Sequence, residues 1–321
     1  MNKQQKEVTK AQLQAEQEEL NALEEIYRAA AADIKNKIQI SDGEINFLLA
    51  HYDELDDEMK SILRSQIYQR KFQQSLERQI DQHIGALDSD VYTSVDGYLK
   101  QCYETGYTGA MYDLKFQGIP LAMPIDEKKV VRALRHNTKL SVTLYKKLGI
   151  DVKTMKKRIA VNISRGIATS SSWSKIAQNI DAEVKIGYNK TMRIARTEGH
   201  RIQCESAFDA QHDAKKAGAD IVKQWDSALD KRTRPHHRLL DGQLRELDEP
   251  FEVEGRRAMY PSGFGIAGED INCRCALLQR ARWALDDEEL QVLKDRAAYY
   301  GLDKAKDFDD YKKKYLKVEE N

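Results

Sequence analysis

Apolar residues recur every seven positions near the start of the chain. One series consists of Leu13, Leu20, Tyr27 and Ile34, and Leu23 and Ala30 occupy the alternate heptad positions. This spacing predicts a long amphipathic helix that begins near Lys3. The helix could belong to an oligomeric coiled coil or form one arm of an internal helical hairpin, and the pattern leaves both alternatives open.

Capping and breaking residues divide the rest of the N-terminal half. Ser41 and Glu44 form a capping box that predicts a second helix over residues 45–55, and a third is expected over residues 59–83. Glycines and prolines then cluster between residues 103 and 124, where we expect a hinge between helical layers.

Basic residues dominate the following segment. Residues 128–165 contain twelve Lys or Arg against one acid, Asp151, while apolar residues recur at helical spacing. This basic layer could contact DNA phosphates or the acidic N-terminal helices of the same or a neighbouring subunit. The candidate DNA-binding residues are Lys128, Lys129, Arg132, Arg135, Lys139, Lys156, Lys157 and Arg158.

The C-terminal part of the sequence predicts strands as well as helices. A long helix is predicted over residues 185–216, ended by Gly218, and strands are predicted at 221–225, 251–253 and 275–278. Thr233 is the expected N-cap of a short helix that stops at Asp241 and Gly242. A terminal helix is expected over residues 286–301, followed by a solvated helical tail over 311–320.

These elements predict a mainly α fold, with a long helical N-terminal region, a small α+β C-terminal module and a terminal helix. The predicted boundaries are a helical region at 1–118 for portal binding or self-association, a basic helical layer at 119–184, the α+β module at 185–282, and the terminal helix and tail at 283–321.

Composition narrows the class of protein only slightly. The 321 residues contain 52 Lys and Arg and 52 Asp and Glu, so the net charge neither supports nor excludes a nucleic-acid or membrane partner. No run of about 18 apolar residues occurs, and the polar N-terminus predicts neither a signal peptide nor a membrane span. The four cysteines are unevenly spaced, and we expect them to be free thiols in a reducing cytosol.

Candidate chemistry is concentrated near the C-terminus. His237, Cys273 and Cys275 are residue types that bind zinc, and Asp270 or His236 could complete a tetrahedral set. The alternative is that the thiols are small buried side chains beside a surface histidine pair, in which case the protein has no cofactor. A His-His nuclease lacks its downstream histidine, and a Cys-His nucleophile lacks an orienting third group.

The order of several short motifs resembles the phage Mu F-like head morphogenesis family, the minor head proteins of tailed bacteriophages. The resemblance covers residues 185–280. The matching structural motif consists of Arg196, Thr197, Glu198, Trp225, Asp230, Asp241, Gly242, Asn272 and Arg274, together with Arg232, His237, Leu240, Pro261, Cys273 and Cys275.

This resemblance implies a non-enzymatic protein inside the phage head, assembled in the host cytoplasm and associated with the portal and with scaffold or major capsid protein. It also implies a role in packaging or ejection of double-stranded DNA. Many relatives carry Cys-x-x-Cys before Leu-Asp-Gly and a histidine before Asn-Cys-Arg-Cys. Here Arg234, His237 and Asp270 occupy those positions, which puts an inherited zinc site in doubt.

The rival interpretation is a metal-dependent nuclease or hydrolase acting on phage DNA ends, in which His237 would be required for cleavage. A host DNA-binding regulator ranks last, since no helix-turn-helix spacing is recognisable.

Overall fold

The computed structural model describes residues 2–40, 87–134, 139–168, 173–282, 294–295, 298–299 and 301–316. Its longer helices are α1 (Lys3–Ile40), α2 (Leu87–Phe116), α3 (Glu127–Leu134), α4 (Lys139–Ala168) and α5 (Trp173–Lys216). The C-terminal elements are β1 (Ile221–Asp226), α6 (Pro235–Leu240), β2 (Leu244–Arg245), β3 (Phe251–Val253), β4 (Arg256–Ala258), α7 (Ala267–Asp270), β5 (Ala276–Ala281) and α8 (Phe308–Leu316). The predicted mainly α fold with a small α+β C-terminal module is confirmed.

The chain divides into two compact units, each built from separate segments. Unit 1 comprises Met1–Glu19, Val95–Leu144 and Arg193–Asn321, and unit 2 comprises Leu20–Ser94 and Tyr145–Met192. None of the described helices is long and apolar enough to span a membrane.

The heptad stripe of α1 packs inside unit 2. Leu20, Leu23, Tyr27 and Ile34 are buried there. The Tyr27 hydroxyl hydrogen-bonds the Thr191 hydroxyl at 2.6 Å, and its ring packs edge-on against Tyr188 of α5. The stripe is therefore covered within the chain, although Leu13, which belongs to the same series, is 61% exposed in unit 1. The helices predicted over 45–55 and 59–83 lie outside the described residues.

The hinge predicted between residues 103 and 124 is wrong for its first half. Helix α2 continues through Gly106 and Gly109 to Phe116. A Cβ at Gly106 would lie 2.1 Å from the Ser206 hydroxyl, and a Cβ at Gly109 would lie 2.5 Å from Val8. These glycines permit close helix packing rather than a break. The chain leaves the helix only at Gly118, whose φ is +89°.

The module in unit 1 contains two small sheets. The first has the order β2-β1-β5, and all its pairs are antiparallel, with Trp225 opposite Leu277. The second pairs β3 with β4, Phe251 opposite Ala258. The predicted strands are present. The short strands β2 and β4, three residues or fewer, gave no sequence signal.

Three other sequence boundaries need correction. Helix α5 begins at Trp173, so the helix expected from 185 is longer. Arg234 occupies the N-cap of α6 in place of Thr233. The tail is not a solvated helix, because Phe308, Tyr311 and Tyr315 of α8 are buried. Most of the helix expected over 286–301 lies outside the described residues.

A buried ion-pair cluster lies on α5 within unit 1. The guanidinium of Arg201, 2% exposed, donates to Glu198 at 3.0 Å, to Glu205 at 2.6 Å and to the Ala133 carbonyl at 3.0 Å. Removing the guanidinium from such a cluster takes away the buried positive charge that both carboxylates face.

We therefore expect Arg201→Met to reduce the free energy of unfolding by about 3–5 kcal/mol, because two glutamates lose their cation. Arg196→Met is the matched control. Arg196 pairs with Glu16 at 2.7 Å but its side chain is 38% exposed, so its loss should cost about 1 kcal/mol or less. Denaturant unfolding measures both values, and equal losses would contradict the assignment.

Candidate metal centre

The turn around Trp225 brings the pieces of the predicted motif together. The Trp225 indole N–H donates to the Ser227 hydroxyl at 3.1 Å, and that hydroxyl donates to the His237 carbonyl at 2.6 Å. Asp241 accepts the Ser227 N–H at 2.7 Å, and the Gly242 N–H donates to the Trp225 carbonyl at 2.8 Å. These bonds fix helix α6 and its histidine against β1.

A second turn presents the two cysteines. Asn272 adopts a positive φ of +54°, which asparagine tolerates better than most residues. Its N–H donates to the Thr197 hydroxyl on α5 at 3.3 Å, so Thr197 anchors this turn to the helix. Arg274 makes two 2.6 Å bonds to Asp230, which holds the pKa of that carboxyl below its usual range.

Two thiols face the same ring nitrogen of His237, Nδ1. Its Nδ1 atom is 3.2 Å from the Cys275 sulfur and 3.7 Å from the Cys273 sulfur. The three potential ligand atoms all lie within 4.8 Å of one another, and all three residues are buried. The structure thus assembles the trio suggested by the sequence.

The opposite edge of the imidazole faces a carboxylate. His237 Nε2 lies 3.2 Å from Glu269 Oε2, and neither atom has another hydrogen-bond partner among the described residues. Glu269 is 6% exposed, and its second oxygen hydrogen-bonds His236 Nδ1 at 3.0 Å. A proton on Nε2 of His237 satisfies this carboxylate and leaves the Nδ1 lone pair facing the thiols.

The two thiols differ in acidity. The hydrogen bond from Cys275 lowers the pKa of Cys273 well below its ordinary value despite burial. The same contact with Cys273, together with burial, raises the pKa of Cys275. Cys273 is thus the more acidic thiol of the pair, and the thiolate is the form of cysteine that binds metals.

The structure does not bring the predicted fourth ligands to this cluster. The Asp270 carboxylate accepts the backbone N–H groups of Phe264 and Ile266, both at 3.2 Å, and burial raises its pKa to about 6. His236 is held by Glu269 and Glu254. Both side chains are therefore already engaged away from the thiols.

Three neighbours of the cluster, Glu269, Cys204 and His200, could not be identified from the sequence. Glu269 carried no motif signal, and Cys204 lies about seventy residues upstream on α5. The Cys204 thiol donates to the Cys275 carbonyl at 3.8 Å and contacts His200 Nε2 at 3.9 Å. The one available signal is that His200 and Cys204 are four residues apart, which places both side chains on the same face of α5.

A cleft of about 950 Å³ within unit 1 borders the cluster. Cys273, Cys275, Cys204 and His200 contribute to its wall, and His237 does not. Two sulfurs and one nitrogen favour zinc or another soft cation, whereas the magnesium ions of many nucleases prefer oxygen ligands. With His237 only 2% exposed, the geometry gives little support to cleavage of DNA ends.

The predicted DNA-binding residues fall into two groups. Lys129 pairs with Asp213 at 2.6 Å, Arg132 with Asp209 at 2.7 Å, and Arg158 lies 3.7 Å from Glu183, which is the internal charge pairing that the sequence left open. Lys128 and Lys157 are exposed, and Lys156 is partly buried. Arg135 and the side chain of Lys139 lie outside the described residues.

Gly242 makes the Leu-Asp-Gly turn possible through its φ of +74°, with open space where a Cβ would lie. We expect Gly242→Ala to lower the free energy of unfolding by about 1–2 kcal/mol, the cost of a left-handed conformation for a residue with a side chain. Gly268→Ala is the control, because its Cβ also meets open space but its backbone is not left-handed. Chemical denaturation compares the two, and an equal effect would show that backbone conformation is not the cause.

Comparison with known proteins finds one family profile that spans this site. Residues 155–278 match the sequence profile described as Phage Mu protein F like protein. The minor head protein GP7 of Bacillus phage SPP1 is 33% identical over 186 residues, which cover 57% of this chain and 57% of that protein.

A relative with a different name matches a longer stretch. The NAD(+)--arginine ADP-ribosyltransferase EFV of Enterococcus faecalis (strain ATCC 700802 / V583) is 31% identical over 280 residues, covering 87% of this chain and 55% of the relative. The chain thus spans about half the length of the curated relatives it matches. No solved structure matches it. Residues 155–278 are thus similar to the Phage Mu F-like family, the family that the sequence motifs resemble.

Proposed function

We propose that the chain is a minor head protein of a tailed bacteriophage, acting in head morphogenesis from the interior of the head after assembly in the host cytoplasm. The observation that carries this proposal is the family match over residues 155–278 together with similarity to a phage protein named as a minor head protein. Three pairs of motif residues agree with a structural role, because within unit 1 Gly242 binds Trp225, Asn272 binds Thr197 and Arg274 binds Asp230.

The proposed partners are the portal protein and the scaffold or major capsid protein. The helical region at 1–118 is the proposed portal-binding or self-association surface. Leu13 of α1 is 61% exposed, and Phe116 at the end of α2 is 50% exposed. Each supplies an apolar side chain that such a partner could cover.

The ADP-ribosyltransferase relative bears on whether the protein is an enzyme. Its match covers 87% of this chain but 55% of the relative. We propose that the named activity resides in the part of that relative which this chain does not match, and that the shared part is a non-catalytic module.

Purified heads of the phage that encodes the chain test the proposal. We expect DNA-filled heads to contain the protein in far fewer copies than the major capsid protein, and intact heads to protect it from added protease because it is inside. Quantitative mass spectrometry before and after protease treatment measures both. Pull-down with the portal protein of the same genome should recover the full chain.

Absence from the heads, or digestion in intact heads, would contradict the proposal. An enzymatic role has its own test, in which the purified chain is incubated with biotin-labelled NAD⁺ and an arginine-containing acceptor protein. We expect no labelled acceptor. Labelling above that of a heat-denatured sample would overturn the non-enzymatic assignment.

DNA contact is proposed for one face of α4 in unit 2. Lys146, Lys153 and Lys157 are exposed and separated by seven and four residues, so they lie on the same side of the helix. Among the described residues none of the three has an acidic partner, unlike Lys129 and Arg132. A row of exposed lysines attracts phosphates without reading base sequence.

We expect Lys153→Gln with Lys157→Gln to weaken binding to double-stranded DNA at low salt. The dependence of log affinity on log salt should become shallower by about 0.9 for each phosphate that the variant no longer neutralises. The matched control is Lys129→Gln with Arg132→Gln, which removes two cations already paired with Asp213 and Asp209. Fluorescence anisotropy across a salt series measures the slopes, and no binding by the unaltered chain would rule out the DNA role.

A further inference from the structure

We infer that His237, Cys273 and Cys275 bind one zinc ion through Nδ1 and the two sulfurs, with the fourth position open to a water molecule or small anion from the neighbouring cleft. This inference rests on the geometry of unit 1 and holds whether or not the chain is a head protein.

The distances between the donor atoms suit such an ion. Tetrahedral zinc, with Zn–S bonds of about 2.3 Å and a Zn–N bond of about 2.0–2.1 Å, places nitrogen about 3.5 Å from each sulfur. The observed separations are 3.2 Å from His237 Nδ1 to Cys275 and 3.7 Å to Cys273. Adjustments of a few tenths of an ångström would therefore complete the site.

Glu269 supplies the outer support that metal-bound histidines ordinarily have. A carboxylate that accepts the N–H of a ligating imidazole fixes its orientation and its tautomer. Glu269 Oε2 and His237 Nε2 face each other at 3.2 Å and have no other hydrogen-bond partner among the described residues. Arg256 Nε lies 3.5 Å from the other carboxylate oxygen of Glu269.

The fourth position has no protein donor in place among the described residues. Ser227 Oγ lies 3.4 Å from the Cys275 sulfur, but it already donates to the His237 carbonyl and accepts from Trp225. Cys204 falls outside the set of donor atoms that lie within 4.8 Å of one another. Since both ligating cysteines border the cleft, solvent is the remaining source of a ligand.

Binding would form two Zn–S bonds and one Zn–N bond. Any proton still carried by the thiols passes to solvent. The proton on His237 Nε2 remains on that nitrogen and is donated in a hydrogen bond to Glu269. Zinc would then join helix α6 to the turn at 272–275 and cross-link two segments that are otherwise held by hydrogen bonds.

The full-length chain, purified and supplied with zinc before removal of excess metal, tests the inference. We expect about one equivalent of zinc by plasma mass spectrometry, in line with the one cluster of potential ligands among the described residues. His237→Ala and Cys273→Ser should lose it. The controls His236→Ala, at the adjacent histidine, and Cys102→Ser, at another buried cysteine, should keep it. Circular dichroism shows which variants are folded.

Cobalt substitution reports on the ligands without any substitution in the protein. The chelated chain titrated with Co²⁺ should develop a thiolate-to-cobalt charge-transfer band and the visible bands of a tetrahedral ion. Glu269→Gln should keep these bands but weaken zinc affinity by about 10–100-fold in chelator competition, the range for outer-shell changes. Cys204→Ser should leave affinity and spectrum unchanged.

Three results would overturn all or part of the inference. Folded wild-type chain that takes up no zinc and gives no cobalt charge-transfer band has no such site. Zinc retained in folded Cys273→Ser would place the metal elsewhere. Loss of zinc from folded Cys204→Ser would overturn the open fourth position and make Cys204 the fourth ligand, as a third thiolate.

Discussion

The buried imidazole of His237 constrains the C-terminal module more than any other group. It has a carboxylate on one edge, two thiols on the other and an aromatic ring, Trp225, against its side. An imidazole in such a place must give each edge a defined role, because an unsatisfied buried nitrogen costs about 1–3 kcal/mol. Glu269 therefore determines which nitrogen carries the proton, and that choice determines what the thiols meet.

The backbone around this ring follows from the same requirement. Ser227 links the Trp225 indole to the His237 carbonyl, and Asp241 fixes Ser227. Asn272 turns the chain so that Cys273 and Cys275 point toward the ring, and Thr197 holds that turn on α5. The scattered motif residues are thus parts of one hydrogen-bonded assembly around a single histidine.

Much of this assembly could be predicted from sequence because its signals are local. Alternation identified the strand at Trp225, the Asp-Gly pair identified its turn, and residue type identified His237 and the cysteines as possible ligands. Glu269 escaped notice because a glutamate in a short helix is ordinary until its burial is known. Cys204 escaped because pairing across about seventy residues leaves no spacing signal.

The wrong predictions share a physical cause. Gly106 and Gly109 look like helix breakers in sequence, but in α2 they make room for Ser206 and Val8. The tail looked solvated because lysines and acids separate its aromatic residues, yet these are buried. In both cases a tertiary contact outweighs the local preference, and local preference is all that a single sequence displays.

The charge pattern shows why a basic stretch is weak evidence for nucleic acid binding. Lys129 and Arg132 belong to the same run as Lys153 and Lys157, but the first two neutralise Asp213 and Asp209 of α5. A cation already paired with a carboxylate releases no counterion from DNA unless that pair breaks, so it contributes little to affinity. If the chain contacts packaged DNA, the exposed lysines on α4 must provide that contact. Lys129 and Arg132, by contrast, hold α3 against α5 through their ion pairs. Residues of one basic run therefore differ in role, some stabilising the fold and others exposed to solvent.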